Sequence, residues 1–538
     1  MADQLGGTTR RVRNVLFIMA DQLRADYLSC YGHRALRTPN LDALAAMGTR
    51  FTRAYCQAPV CGPSRMSFYT GRYTLSHGAT WNFVQLPVGE RTLGDYLRPL
   101  GVRTAVVGKT HHRADLEGIA RLGLSPDTGT GALLAQGGFE PYWRDDGLHP
   151  DHKVKPDLEY NVFLRSRGYD GFNPWHEWAN SGQDENGELA SGWYMRNAHR
   201  PTRLPEEFTE TPFATNKAIE FIREQGEQPW CLHLSYIKPH WPYIAPAPYH
   251  DMFGPDDFQA PIRADSERSE QAGGRARDIN PILAGFQQHP ESLAFSDDRL
   301  RENMLPAYMG LVKQIDDHVG RLMRFLKESG RLEDTMIVFT ADHGDFLGDH
   351  WQGEKEFMYE PSVRLPMIVY DPDPAAPRGE VRDDLIEAVD LVPTFIDAIG
   401  GEVATHVIEG RSLLGLLRGG KAPQRDAVFA EMDYSIYPTA RRLGIGQHDA
   451  RMVMARSERY KLVHVCKGVA PLLWDLQEDP HELVDLGRDP GYAGIVDAHY
   501  AMIFDWMIHR RNRIAISDAD IAARPSPADA GGVIIGKW

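Results

Sequence analysis

What most constrains this chain is a recurrent pattern in which short apolar runs break off into polar, chemistry-bearing residues. Val15–Ala20 reads VLFIMA and stops at Asp21 and Gln22. Trp230–Tyr236 leads to Lys238 and His240, and Met336–Thr340 leads to Asp342 and His343. Thr104–Val107 is closed by Gly108 and Lys109, and Pro366–Tyr370 is a further run. Such runs are too short for buried helices and lack the alternation of half-exposed strands, so they read as parallel strands covered on both faces. Helical patterns fall between them. One runs from Pro39 through Met47, with Thr38 or Asn40 as cap and Gly48 as stop. A second starts at the Cys61-Gly62-Pro63-Ser64 turn, where Pro63 suits a first helical position. A third lies near Asn216–Glu224. A fourth spans about Asn303–Ser329, with Leu311, Ile315, Val319, Leu322 and Phe325 at helical spacing. The alternation predicts an α/β fold, a large mainly parallel sheet sandwiched by helices.

After about Gly419 the strands shorten to Val428–Glu431, Met452–Ala455 and Tyr460–Val465. The chain therefore reads as a large α/β domain over 1–419, a smaller C-terminal α+β domain over 420–516 and an extended tail over 517–538. Between about 114 and 210 the pattern weakens, as expected of a long surface excursion that shapes or covers a site. Ala260–Asp297 is polar again. The tail ends in Gly-Gly-Val-Ile-Ile-Gly-Lys-Trp, an apolar patch expected to dock, as an oligomer contact or a closure over a neighbouring site.

With 42% apolar residues in 538, the chain can bury a large core and is not disordered. The excess of 74 Asp and Glu over 59 Lys and Arg, a net charge of −15, excludes a general nucleic-acid binder. It also speaks against anionic membrane surfaces, and no apolar window is long enough to span a bilayer. The five cysteines, Cys30, Cys56, Cys61, Cys231 and Cys466, show neither disulfide nor CxxC spacing. Val15–Ala20 is too short for a signal-peptide core. A reducing cytoplasm is the expected home.

In an open parallel sheet, ligands bind beyond the carboxyl ends of the strands. Asp21, Gln22, Asp342 and His343 arrive there, two carboxylates, an amide oxygen and an imidazole, which is the donor set of a divalent-metal site. Oxygen ligands suit Ca²⁺, while an imidazole favours Mn²⁺, Fe²⁺ or Zn²⁺. The expected ion is one of these four, with Mn²⁺ or Ca²⁺ foremost. Cys61-Gly62-Pro63-Ser64-Arg65, followed by Thr70-Gly71-Arg72, is the most specific segment. A cysteine at a helix start beside Arg65 can be a thiolate nucleophile or an inert buried thiol, and the residues alone leave both open.

Cys61-x-Pro63-Ser64-Arg65 resembles the motif of the type I (formylglycine) sulfatases of the alkaline-phosphatase superfamily. Asp21-Gln22 and Asp342-His343-Gly344-Asp345 most resemble the branch holding phosphonate monoester hydrolases, choline sulfatases and certain bacterial arylsulfatases. Thr38-Pro39-Asn40-Leu41, Gly71-Arg72-Tyr73, Asp390-Leu391-Val392-Pro393-Thr394 and Trp474-Asp475-Leu476 with Asp479-Pro480 extend the likeness over almost the whole chain. The resemblance implies an alkaline-phosphatase-like fold and a Cys61 oxidised to formylglycine by a formylglycine-generating or equivalent maturation enzyme. It implies one divalent metal held by Asp21, Gln22, Asp342, His343 and residue 61. Arg65 would hold the formylglycine, and Asn82 would stand in the substrate pocket. His240 and Lys355 would grip the anion and its leaving oxygen, Lys109 would bind the anion, and His111 would act on the formylglycine hydroxyl.

The sequence departs from both subfamily patterns. Phosphonate monoester hydrolases carry Tyr and Thr where this chain has Lys109 and His111, the sulfatase pair. The common sulfatase metal signature has two adjacent Asp and an Asp-Asn, where this chain has Asp-Gln and Asp-His. The leading expectation is a promiscuous sulfuric-ester hydrolase acting on aryl sulfates. A phosphonate monoester hydrolase or phosphodiesterase is the alternative. A choline-sulfatase-like enzyme would draw aromatic contacts from Trp81, Trp143, Trp175 or Trp241. From another class comes an inactive metal-binding scaffold. Lys238 is read as solvated or structural. The resemblance implies a small anionic ester as substrate, expected to bind against the net charge because Arg65, Lys109, His111, His240 and Lys355 concentrate positive charge locally. A homo-oligomer, dimer or tetramer, is expected.

Overall fold

The computed structural model describes residues 12–147, 158–275, 279–421 and 425–524. Its large sheet is built from β1 (Asn14–Asp21), β2 (Thr49–Tyr55), β3 (Arg103–Gly108) and β4 (Glu140–Arg144), with a small separate hairpin of β5 (Ser181–Gln183) and β6 (Leu189–Ser191) between β4 and the next strand. It continues with β7 (Trp230–Pro239), β8 (Thr335–Ala341), β9 (Arg364–Tyr370), β10 (Glu380–Arg382) and β11 (Ile386–Glu387). The spatial order is β10-β2-β9-β8-β1-β7-β3-β4, with β11 also on β2. β1 is central and buried along its length. It pairs in parallel with β7, Val15 opposite Cys231, and with β8, Val15 opposite Met336. β9 runs antiparallel to both of its neighbours, so the sheet is mixed, with most pairs parallel.

Helices cover both faces, which is why these strands carry no polar alternation. On one face His233 of β7 stacks on Phe17 of β1 at 4.4 Å. Phe17 in turn meets Phe68 of the helix Cys61–Thr70 and Phe395 of the helix Leu391–Ile399, each at 5.7 Å. Tyr236 points the other way, by the two-residue strand period, and its hydroxyl shares a 2.9 Å hydrogen bond with Thr215 on the helix Glu210–Glu224. The long helix Asp298–Glu328 is anchored by Asp316, whose carboxylate accepts from the backbone N–H groups of Asn40 and Leu41 at the start of the helix Pro39–Met47.

The C-terminal region forms an antiparallel sheet of β12 (Ala427–Asp433), β13 (Arg451–Ser457), β14 (Tyr460–His464) and β15 (Leu472–Asp475). The helix Ala493–Ile508 covers it, with Trp506 stacked on Phe429 at 4.4 Å. That helix escapes a reading of the sequence because its apolar residues form no single stripe. Three further features differ from expectation. The 114–210 stretch supplies the edge strand β4 and buries Trp143, Tyr160, Leu164 and Trp175, so it is part of the core as well as of the surface. Ala260–Asp297 holds two short helices, Pro281–Phe286 and Pro290–Phe295, each opened by a proline that has no N–H to lose. Asp518–Ala522 is a short helix capped by Ser517, and the apolar end of the tail lies outside the described residues. All five cysteines are free, and no helix among the described residues is long and apolar enough to cross a membrane.

Candidate active site

Four adjacent parallel strands, β8-β1-β7-β3, end side by side, and each delivers functional groups just past its last residue. β1 ends in Asp21 and Gln22, and β8 is followed by Asp342 and His343. β7 leads to His240, and β3 to Lys109 and His111. The turn after β3 depends on Gly108, at φ 103°, where a Cβ would sit 2.0 Å from the Ser235 carbonyl oxygen. Cys61 enters at the first residue of a helix that is buried from end to end.

The Cys61 sulfur is the meeting point. His343 Nε2 lies 3.2 Å from it, Lys355 Nζ 3.4 Å, Lys109 Nζ 3.8 Å and Asp21 Oδ1 3.8 Å. Burial pushes the thiol pKa up, but Lys109, Lys355, His343 and a hydrogen bond from His111 outweigh it and hold the pKa well below the ordinary value. Donor atoms of Asp21, Cys61, Asp342 and His343 all lie within 4.8 Å of one another. Two carboxylates, an imidazole and a fourth ligand at this spacing fit a divalent cation. Gln22 completes the group at φ 62°, a left-handed conformation that is strained for a residue with a side chain. Its amide nitrogen donates to Asp345 Oδ2 (2.5 Å), which leaves Oε1 on the side of the site, accepting from Lys355 Nζ (2.8 Å).

The Arg65 guanidinium donates to Asp342 Oδ2 (2.8 Å), Asp21 Oδ2 (3.1 Å), Ser235 Oγ (2.8 Å) and the Lys109 carbonyl (2.8 Å), and these bonds tie down the two carboxylates beside residue 61. Asn82 is half-buried beside the nucleophile, with Oδ1 accepting from the Gly62 N–H (2.7 Å) in the first turn of the Cys61 helix. Lys109 is buried and ion-paired with Asp21. His111 adopts φ 50°, its backbone N–H donating to Asp146 Oδ1 (3.0 Å). His240 Nδ1 is fixed by the Trp241 carbonyl (2.7 Å), and its Nε2 faces Lys355 Nζ at 3.3 Å. Burial, then Lys109 and Lys355, lower the His240 pKa to about 3, so it is neutral in the free site.

Lys238 lies apart from this group, donating to Asn180 Oδ1 (2.8 Å) and the Pro242 carbonyl (3.0 Å). Of the four candidate tryptophans, Trp81, Trp143 and Trp175 are core residues, whereas Trp241 stands beside His240, ring centroids 4.2 Å apart. Sequence reasoning missed the supporting residues. Asp345 belongs to the Asp342–Asp345 run and could have been singled out there, but Ser235 and Asp146 carry no local signal.

The family model described as Sulfatase matches residues 13–119 and 161–401. The chain belongs to the sulfatase family. Residues 348–505 also match the model described as N-sulphoglucosamine sulphohydrolase, C-terminal. Among its relatives, the multifunctional alkaline phosphatase superfamily protein PehA of Trinickia caryophylli is 31% identical, covering 93% of this chain and 96% of that one. An arylsulfatase of Clostridium perfringens is 26% identical, over 90% and 92%. The solved phosphonate monoester hydrolase from Silicibacter pomeroyi superposes with a TM-score of 0.79 at 26% identity, over 93% of this chain and 96% of that one. This chain is thus a hydrolase of the sulfatase family.

Proposed function

We propose that this sulfatase-family hydrolase cleaves sulfuric esters, aryl sulfates foremost, with a formylglycine made from Cys61 by a maturation enzyme of the formylglycine-generating kind. The observation that carries the reading is the convergence of Lys109, Lys355 and His343 on the Cys61 sulfur. A divalent metal, Mn²⁺ or Ca²⁺ before Zn²⁺ or Fe²⁺, would be held by Asp21, Gln22, Asp342, His343 and residue 61. When bound it supplies the positive charge that acidifies a hydroxyl of the hydrated aldehyde.

The remaining chemistry belongs to the chain. One hydroxyl oxygen of residue 61 bonds to sulfur while the ester oxygen leaves with its bonding electrons. Lys109 and Lys355 carry charge toward the sulfonate oxygens. His240 is neutral until an anion lies beside it. The anion raises its hold on a proton, which His240, with Lys355 alongside, passes to the departing oxygen. His111 then takes the proton of the second hydroxyl. The bond from residue 61 to the sulfate oxygen breaks, sulfate leaves, and water re-hydrates the aldehyde.

Peptide mass spectrometry at residue 61, with turnover of 4-nitrophenyl sulfate on the same sample, tests the scheme. An unmodified thiol in fully active enzyme would refute it. Cys61→Ala should keep its fold and lose nearly all turnover, whereas in an inactive scaffold there would be no turnover to lose. The second reading, a phosphonate monoester hydrolase or phosphodiesterase, is favoured by the likeness to the Silicibacter enzyme. Higher kcat/KM on a phenyl phosphonate ester than on the aryl sulfate would establish it. Five free thiols suit a cytoplasmic location. The homo-oligomer is tested by light scattering.

A further inference from the structure

Beside His240 lies a cavity of about 460 Å³ that no step above uses. Trp193, Trp241, Tyr243 and Phe295 supply aromatic walls, Glu291 and Glu354 its acidic groups, and the exposed Arg196, held over the Tyr194 ring at 4.3 Å, is the one cation on its rim among the described residues. Two chain neighbours fix its position. Trp241 follows His240, and Glu354 precedes Lys355, whose Nζ is 3.4 Å from the Cys61 sulfur. Trp193 stands edge-to-face on Trp241 at 4.9 Å, so the two indoles form one wall. The Trp241 ring lies 4.2 Å from that of His240, so the cavity is one side chain away from the groups assigned to the leaving oxygen.

Charge sharpens the reading. Glu354 is held at φ 58°, a left-handed conformation that a glutamate adopts only when its surroundings impose it. Burial pushes its pKa up to about 7 against the pull of Lys355, with Glu291 and Asp345 adding repulsion. A cation entering between Glu291 and Glu354 would relieve that repulsion, and the indole and phenyl faces favour positive charge as well.

We propose that this cavity is the leaving-group subsite and that it selects sulfate esters of aromatic alcohols bearing a protonated amine remote from the ester oxygen. The ring occupies the Trp193–Trp241 wall, and the ammonium reaches the two glutamates. The proposal rests on the sulfuric-ester reading.

The test uses three phenyl sulfates of matched leaving-group acidity, with para aminoethyl, ethyl or carboxyethyl groups. The aminoethyl ester should exceed the ethyl ester in kcat/KM by about tenfold, the effect of a desolvated cation over aromatic faces near carboxylates, and the carboxyethyl ester should be the poorest. Glu291→Gln, at the exposed mouth and outside the catalytic machinery, should shrink the aminoethyl advantage several-fold and leave the ethyl ester unchanged. Equal kcat/KM on all three esters, or a uniform loss in Glu291→Gln, overturns the subsite. If none of the sulfates is cleaved while phenyl phosphonate esters are, the sulfuric-ester reading fails instead. The same para series on those phosphonates then decides the subsite by the same ratios.

Discussion

Replacing Arg65 by alanine should destabilise the metal-free protein by a calculable amount. The guanidinium is fully buried and bridges Asp21 and Asp342 through hydrogen bonds of 3.1 and 2.8 Å, with two further bonds to Ser235 and the Lys109 carbonyl. Without it Asp21 keeps Lys109, but the nearest cationic group left to Asp342 is His343, 3.7 Å away. Removing one partner of a buried ion pair costs about 3–5 kcal/mol, because the charge left behind has lost both water and counterion. Unfolding a chain of 538 residues releases entropy equivalent to about 1 kcal/mol per degree, so the melting temperature should fall by about 3–5 °C. Arg65→Lys retains the charge but cannot span both carboxylates with a fork of donors, and it should fall between wild type and alanine. Differential scanning calorimetry on chelator-treated protein measures all three. If metal-free Arg65→Ala melts within a degree of wild type, Arg65 is not what holds the two carboxylates, and its assignment as their clamp is wrong.

Asp345→Asn should loosen the Gln22 amide, whose nitrogen Asp345 accepts at 2.5 Å, and weaken Mn²⁺ binding about 10–100-fold in calorimetric titration while the fold persists. Lys238→Met should cost stability, about 3 °C in melting temperature, since it strands Glu210 and Asn180 in a buried setting. Its kcat/KM should match wild type, which separates Lys238 from Lys109 and Lys355. Burial raises the Asp145 pKa from 3.8 to about 7, so the folded state holds a proton that the unfolded chain has already released. The associated stability is complete below about pH 4 and is lost as pH rises through 7. Asp145→Asn removes that titration. Its stability relative to wild type in denaturant melts should therefore improve by at least about 1 kcal/mol between pH 5 and pH 8.

What the sequence reveals follows from which forces are local. β1, β3, β7 and β8 are legible because burial on both faces imposes an uninterrupted apolar run, and the break in each run marks where the chain leaves the sheet. Asp21, Gln22, Asp342 and His343 are found for that reason, Lys109 and His240 through the resemblance of their segments to the family's motifs, and the structure gathers all six around Cys61. Strand direction is not encoded in an apolar run, so the antiparallel course of β9 stays hidden. The edge strand β4, interrupted by Pro141 and half exposed, carries too little pattern to be read at all. Residues that hold other residues are the hardest to see. Ser235, Asp146 and Asp345 act through distances set by the tertiary fold, and the bonds of Arg65 to the Asp21 and Asp342 carboxylates are no more visible in its motif.

Net charge shows the same division between sum and position. A total of −15 points toward a cationic partner, while Lys109 and Lys355 at the sulfur demand an anionic one. The two demands need not compete for one group of the substrate. The lysines converge where the ester anion reacts, and Glu291 and Glu354 line the adjoining cavity where the alcohol part lies. A zwitterionic ester, sulfate at one end and ammonium at the other, meets both charges in the order in which the site presents them.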